Sequence, residues 1–272
     1  DAKSGPVGLF HNLTPTLAHI VFDAAPDGAA ADPQGTLRLD ADGLTRMGLG
    51  AIVGSAKEDI AVQAALAVTP GGQIALYAPT VKVDAGLTAR SGRILLGDVV
   101  PMVSPENGIS SDAQLSAPAG TTPSVVIGGG VTLDARGIWS NLQQDVGDIA
   151  FAPYIDGGSV SIRSIGDVRL GAGSVVDVSS GASVGQNGAL TGGRGGDIAL
   201  AASINLNDGS NRTPGHAELQ LGGTLRGYGV TGGGSLGIES GTAIGIGGEV
   251  LRNPGELMAG EGAQVSLRLL HD

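Results

Sequence analysis

The chain has 272 residues, 49 of them Gly, 13 Pro and none Cys, with 41% hydrophobic, 15% charged and 3% aromatic residues and a net charge of −11. This excludes a collagen (there is no Gly-X-Y period), a highly charged disordered chain, a disulfide framework, a Cys-ligated metal centre and a thiol nucleophile. With 15 basic against 26 acidic residues and no 18-residue apolar run, neither nucleic-acid binding nor membrane insertion is expected.

Taken in chain order, Asp1–Phe10 lacks the basic region and apolar stretch of a signal peptide. Residues 1–36 read as an irregular start, with Ala25–Gly35 a small-residue, acidic loop. Leu37–Val68 is weak in period and predicts irregular coils, with a short helix over Asp59–Val68. A repeated unit then sets in. Gly71–Gly72 precedes Gln73-Ile74-Ala75-Leu76, and Gly157–Gly158 precedes Ser159-Val160-Ser161-Ile162. Gly195–Gly196 precedes Asp197-Ile198-Ala199-Leu200, and Gly233–Gly234 precedes Ser235-Leu236-Gly237-Ile238. Each unit is followed by a second aliphatic pair: Val81/Val83, Val168/Leu170, Ile204/Leu206 and Ile244/Ile246. Aliphatics two residues apart predict a strand with one buried face.

Gly158, Gly196 and Gly234 are evenly spaced by 38 residues, and Gly215 opens another alternating run halfway along the second interval. This predicts an all-β, right-handed parallel β-helix with about 19-residue coils, best defined from Gly157 to Gly248. The whole chain would make about 13 coils and a rod of about 60 Å at the parallel strand spacing. The connections are too short for crossover helices. Gly and Asn are expected at corners that need positive φ. Extruded loops are expected near 101–124 and 207–215. The strand-like run Val265–Leu270 ends directly in His271–Asp272. Neither end reads as a cap, so residues 1–272 are expected to be one continuous segment of a longer chain.

Several motifs invite chemistry. Gly192–Asp197 (Gly-Gly-Arg-Gly-Gly-Asp) fits the start of a calcium-binding β-roll repeat, but as a single copy it reads as a tight corner. Gly227–Gly232 matches the dinucleotide glycine pattern without a strand–helix unit around it. The histidines His11, His19, His216 and His271 are scattered, without metal-ligand spacing. The carboxylates Asp134, Asp145, Asp148, Asp156, Asp167 and Asp177 spread over several coils. If aligned, they would suit acid/base work on a polysaccharide; otherwise they fill the outward half of each strand. Trp139, the single Trp, is expected to cover a gap in the apolar core or a loop base, with stacking on sugar rings the alternative. No catalytic, cofactor-binding or metal residue is assigned, no cofactor is expected, and the ligand-binding residues stay unnamed.

Gly130–Asn141 (GVTLDARGIWSN), Gly157–Ala182 (GGSVSIRSIGDVRLGAGSVVDVSSGA) and Gly192–Ser203 (GGRGGDIALAAS) resemble the filamentous haemagglutinin family, the large exoproteins of bacterial two-partner secretion. The likeness runs from about Gly35 to the end. It implies a non-enzymatic structural shaft of a secreted adhesin at the bacterial cell surface, serving attachment or biofilm formation. It also implies passage through an outer-membrane barrel transporter, and as partners an extracellular polysaccharide or a host or bacterial surface receptor. The absence of Cys suits a chain exported unfolded. The family's secretion-domain Asn-Pro motifs are not matched: the lone Asn253-Pro254 lies near the wrong end. The alternatives are a β-helical polysaccharide lyase or hydrolase, and the stalk of a contact-dependent toxin-delivery exoprotein.

Overall fold

The computed structural model of the chain describes residues 15–24, 35–103, 110–204, 218–240, 243–246, 249–252 and 263–268. Helix is 6% and strand 48%, so the architecture is almost entirely β. The described elements begin with β1 (His19–Asp23), β2 (Thr36–Asp40) and helix α1 (Ala41–Arg46). A short cycle follows: β3 (Ala51–Ser55), β4 (Asp59–Val62), β5 (Leu66–Ala67). The next is β6 (Gln73–Tyr77), β7 (Thr80–Val83), β8 (Leu87–Thr88). The third cycle is longer: β9 (Arg93–Gly97), a hairpin of β10 (Val99–Val103) and β11 (Ser110–Gln114), β12 (Ser124–Ile127), β13 (Thr132–Asp134) and β14 (Trp139–Asn141). The fourth holds β15 (Ser159–Arg163), β16 (Asp167–Leu170), β17 (Val175–Asp177), β18 (Ala182–Val184) and β19 (Leu190–Gly192). The fifth holds β20 (Asp197–Ala202), β21 (Glu218–Leu221) and β22 (Thr224–Arg226). Last come β23 (Ser235–Ser240), β24 (Ala243–Ile246), β25 (Glu249–Arg252) and β26 (Ala263–Arg268).

These strands form three long sheets. Sheet I runs β2-β1-β4-β7-β12-β16-β21-β24-β25, sheet II runs β26-β23-β20-β15-β9-β6-β3, and sheet III runs β22-β17-β13-β8-β5. The chain therefore visits II, I and III in the same order on every cycle. Pairing is parallel throughout the three, apart from the antiparallel β25 and β26. The four Gly-Gly units align as the sequence implies: Gln73, Ser159, Asp197 and Ser235 share one register in sheet II, joined there by Arg93, which follows Ser91–Gly92.

The register corrects the coil length. In sheet II, Ile52 pairs with Ile74 and Ile74 with Ile94, steps of 22 and 20 residues. Val160 then pairs directly with Ile198, and Ile198 with Leu236. The 38-residue interval is thus one coil, not two of 19. The run after Gly215 fails as a halfway coil because β21 belongs to sheet I of the same cycle. The two equal intervals also arise differently. From sheet II to sheet I takes 8 residues in one (Val160 to Val168) and 21 in the other (Ile198 to Leu219). From sheet III to sheet II takes 22 (Val176 to Ile198) and 11 (Leu225 to Leu236). Insertions at different corners happen to give the same total. Among the described residues sheet II holds six parallel strands, a rise of about 24 Å rather than the 60 Å expected for 13 coils.

Inward side chains form columns. Ile74/Leu76, Ile94/Leu96, Val160/Ile162 and Ile198/Leu200 point in from sheet II. Val81/Val83, Val125/Ile127 and Val168/Leu170 point in from sheet I, and Leu66, Leu87, Leu133 and Val176 from sheet III. All belong to one core cluster, and each such aliphatic contributes about 1.5–3 kcal/mol on burial. The layers are narrow, so branched aliphatics of similar size fill them and aromatics are few. Ile204 does not join this core as the second member of its unit. It packs with Val99 and Ala201 in a separate cluster, and Leu219 takes the sheet I position. Leu206 and the expected loop at 207–215 lie outside the described residues.

Two further expectations are refined or changed. Turn glycines such as Gly71 and Gly173 take positive φ as expected, but the column Gly72–Gly92–Gly158–Gly196–Gly234 needs glycine for close approach instead. A Cβ on any of the last four would overlap the backbone of the glycine one coil below, and none of the five has a left-handed φ. Asp59–Val68 is not helical but supplies β4 and β5, so Leu37–Val68 holds a regular short coil. The helix is α1, started by Asp40, whose carboxylate accepts the Gly43 N–H (2.9 Å). It lies against β1, β2 and β5, placing Ala41 and Leu44 on the core. It thus lies over β2 and β5, the edge strands of sheets I and III.

Candidate functional site

The six aspartates have structural partners. Asp134 and Asp177 stack in adjacent strands of sheet III. Asp134 is almost buried and accepts the Arg136 N–H (3.0 Å), Nε (2.9 Å) and Nη2 (2.8 Å), with Arg90 Nη1 at 3.7 Å. Burial works to raise its carboxyl, but the Arg136 hydrogen bonds and the charges of Arg90 and Arg136 outweigh it, leaving the group below its ordinary value. Asp177 accepts the Ser179 N–H (3.0 Å) and faces Arg226 at 3.8 Å. Both close the same short turn, residue i accepting from the N–H of i+2. Asp145 caps Gly147 and Asp148 binds the Asn141 N–H, closing a 3-10 turn over Val146–Ala150. Asp156 accepts from Arg194 N–H (2.8 Å). Asp167 pairs with Arg169 at 2.6 Å and accepts the Glu218 N–H. Asp134, held low by Arg136 and Arg90, is a poor general acid.

The motifs resolve similarly. Gly192–Asp197 turns the corner from β19 into β20. Its Arg194–Asp197 part, with Asp156, Gly157 and Gly233–Ser235, lines an open cleft of about 400 Å³, in which Asp197 is bonded by the Ser235 hydroxyl (2.5 Å). Among the described residues no three His, Cys, Asp or Glu side chains gather as metal ligands. Gly227–Gly232 leads into strand β23, with Thr231 N–H bound to Gly193 O; no helix N-terminus follows to hold a phosphate. His19 contacts Asp59 through Nδ1 and lies 3.8 Å from Glu58 through Nε2. Sequence spacing hid this pair, because strand pairing brings together residues 40 apart. His11, His216 and His271 lie outside the described residues.

Trp139 departs from expectation: it is 63% exposed and fills no gap in the core. It stands on β14, in a lateral sheet of β14, β18 and β19 built from the insertions between sheets III and II. Val146, Ile149, Phe151, Leu190, Tyr228 and Val230 are also exposed, so seven of the nine large exposed hydrophobics among the described residues come from this flank and its next corner. The flank's signal in the sequence was the stretch Val146–Phe151, which places Val146, Ile149 and Phe151 in a spacing that fits no coil period.

A second surface lies on the outer face of sheet II. The β10–β11 hairpin covers it with Val100 and Leu115, packed on Ala75 and Tyr77. Beside it a groove of about 350 Å³ is lined by Tyr77, Arg93, Leu95, Pro101, Ser161 and Arg163, among others. Burial pushes the Tyr77 phenol up to about 12, so it stays protonated. Arg163 is held at 2.7 Å by Asp112 of the hairpin. Among the described residues no helix is long and apolar enough to cross a membrane. The groove brings aromatic, cationic and hydroxyl side chains together, and the lateral flank is mainly apolar. Comparison with protein families, curated proteins and solved structures finds no match to this chain.

Proposed function

We propose that the chain is a right-handed parallel β-helix and forms part of the structural shaft of a large secreted bacterial adhesin exported by two-partner secretion. The observation that carries this reading is the invariant II–I–III order of parallel strands around one aliphatic core. Parallel crossovers of this kind are right-handed in nearly all proteins. The segments at Gly130–Asn141, Gly157–Ala182 and Gly192–Ser203 supply the likeness to that family. A shaft of this type is stiff because every coil bonds its backbone to the next. Docking each new coil on a formed one also suits folding outside the cell during export. Attachment or biofilm formation then falls to surfaces at the corners, with extracellular polysaccharide or a surface receptor as partner.

The test is made in the producing bacterium. Deleting the gene for the paired outer-membrane barrel transporter is expected to remove the protein from the cell surface and medium. Undiminished display without the transporter overturns the reading. The purified chain is also offered acidic polysaccharides with and without calcium; release of unsaturated or reducing ends would establish an enzyme instead.

A further inference from the structure

Asp98 sits between β9 and β10, where the hairpin leaves sheet II, and is fully buried. Its main-chain oxygen accepts the Leu115 N–H (2.8 Å), closing the root of the hairpin. Its carboxyl Oδ1 accepts the Ile165 N–H (3.1 Å) from the following coil, while Oδ2 is buried without a hydrogen-bond partner. The same root is apolar: Val99 packs on Ala201, Ile204 and Ile165, and Val100 and Leu115 pack on Ala75 and Tyr77. We propose that the β10–β11 hairpin is an acid-tightened clasp over the outer face of sheet II, with Asp98 as its latch.

A carboxylate with one unbonded oxygen in an apolar root is costly, and a neutral carboxyl is not. Burial raises Asp98 to about 6, against the lowering by the Ile165 N–H and the nearby Ser164 hydroxyl. The folded value lies above the ordinary 3.8. The favourable contribution is therefore complete in acid and is lost as pH rises through about 6. Among the described residues the charged and titratable groups facing the root are few. Arg163 of β15 and Asp112 of β11 are paired with each other. Tyr77 of β6 stays neutral. The Ser164–Gly166 turn, the Ala201–Ile204 segment and Leu115 bring none. At neutral pH the clasp is loosest, and the apolar strip of Ala75, Tyr77 and Leu95 is most accessible.

Hydrogen exchange of the whole chain, corrected for intrinsic rates, tests this. Opening at the amides of Val100, Leu115 and Ile165 is expected to rise about tenfold from pH 5 to pH 7. The amides of Val81 and Val125, deep in sheet I, are expected to hold constant. Asp98→Asn should abolish the difference. A pH-independent root overturns the proposal, as does equal pH dependence in the variant or an equal change in sheet I. If Asp98→Asn fails to fold, carbon-detected NMR titration of the unsubstituted chain decides: an Asp98 carboxyl titrating in the ordinary range refutes the latch.

Discussion

The second and fourth coils have the same skeleton and different outlines. In the second, Ala89–Gly92 turns from sheet III to sheet II in four residues, between β8 and β9. In the fourth, the same corner extends from Val178 to Gly196 and carries β18 and β19. Yet Ala89 and Val178 are both fully buried at the start of the corner, and Arg93 and Asp197 leave it in the same register of sheet II. The coil is a fixed three-strand frame of about 21 residues. Corners absorb insertions because they lie outside the aliphatic core and lengthening a surface loop costs little. Core and surface functions are therefore separable, and each expected outcome below probes that separation.

The largest effect falls on the glycine column. Gly196→Val would drive its Cβ into the Gly158 carbonyl, where backbone on both sides cannot yield without breaking the ladder. A loss of about 4 kcal/mol or outright misfolding is expected, read by urea denaturation. Gly130→Ala is the contrast: φ is +74°, but no atom lies within 4 Å of the new Cβ. Only backbone strain of about 1 kcal/mol is expected there.

The Asp134 turn comes next. Asp134→Asn removes the charge that Arg136 and Arg90 satisfy, at a cost of about 1–3 kcal/mol at neutral pH. Because its folded carboxyl lies below the ordinary 3.8, this stabilisation is whole above that value and drains as pH falls through the lowered one. The sign is opposite to that of Asp98. Denaturation from pH 7 to pH 2 should show a steeper acid decline in the unsubstituted chain than in Asp134→Asn, and parallel declines would refute the assignment.

Much of this frame was legible in the sequence because strands with one buried face write their period directly: Ile74/Leu76, Val160/Ile162 and Val168/Leu170 are all inward. Coil length was not legible, because spacing counts frame and insertion together. Two insertions at different corners imitated a doubled 19-residue repeat. The register of β15 on β20 is set by three-dimensional stacking, and no local pattern encodes it. Asp98 was missed for the same reason: its carboxyl accepts from Ile165 of the following coil and its root packs against Ala201 and Ile204, all distant in sequence. Trp139 was misjudged because most lone tryptophans are buried, and the lateral sheet that lifts it outward depends on β18 one coil later.

Exchanging a corner separates frame from insertion. Replacing residues 179–196 with the Arg-Ser-Gly that turns the same corner in the second coil should leave β17 and β20 joined as β8 and β9 are. The core columns of sheets I and II would be untouched, so a stability change of about 2 kcal/mol or less is expected, with the β signal in circular dichroism retained. A coil length of 19 predicts otherwise: the exchange would then delete most of a coil and unfold its neighbours.

The smallest expected effect on stability is at the lateral ridge. Trp139→Ala removes a large side chain that buries little of itself, so denaturation should move by about 0.5 kcal/mol or less. Leu133→Ala, six residues earlier and fully buried, should cost about 2–5 kcal/mol. The pair differs in outcome because one residue belongs to the frame and the other to the insertion. If Trp139 and Tyr228 serve contact rather than folding, the double alanine variant keeps the stability of the unsubstituted chain and loses adhesion to a polysaccharide-coated surface. Full adhesion with both aromatics removed would assign binding to another face, leaving the groove beside the β10–β11 hairpin as the next surface to alter. A large loss of stability from Trp139→Ala alone would show that the insertion braces the frame, and the separation argued from the second and fourth coils would fail.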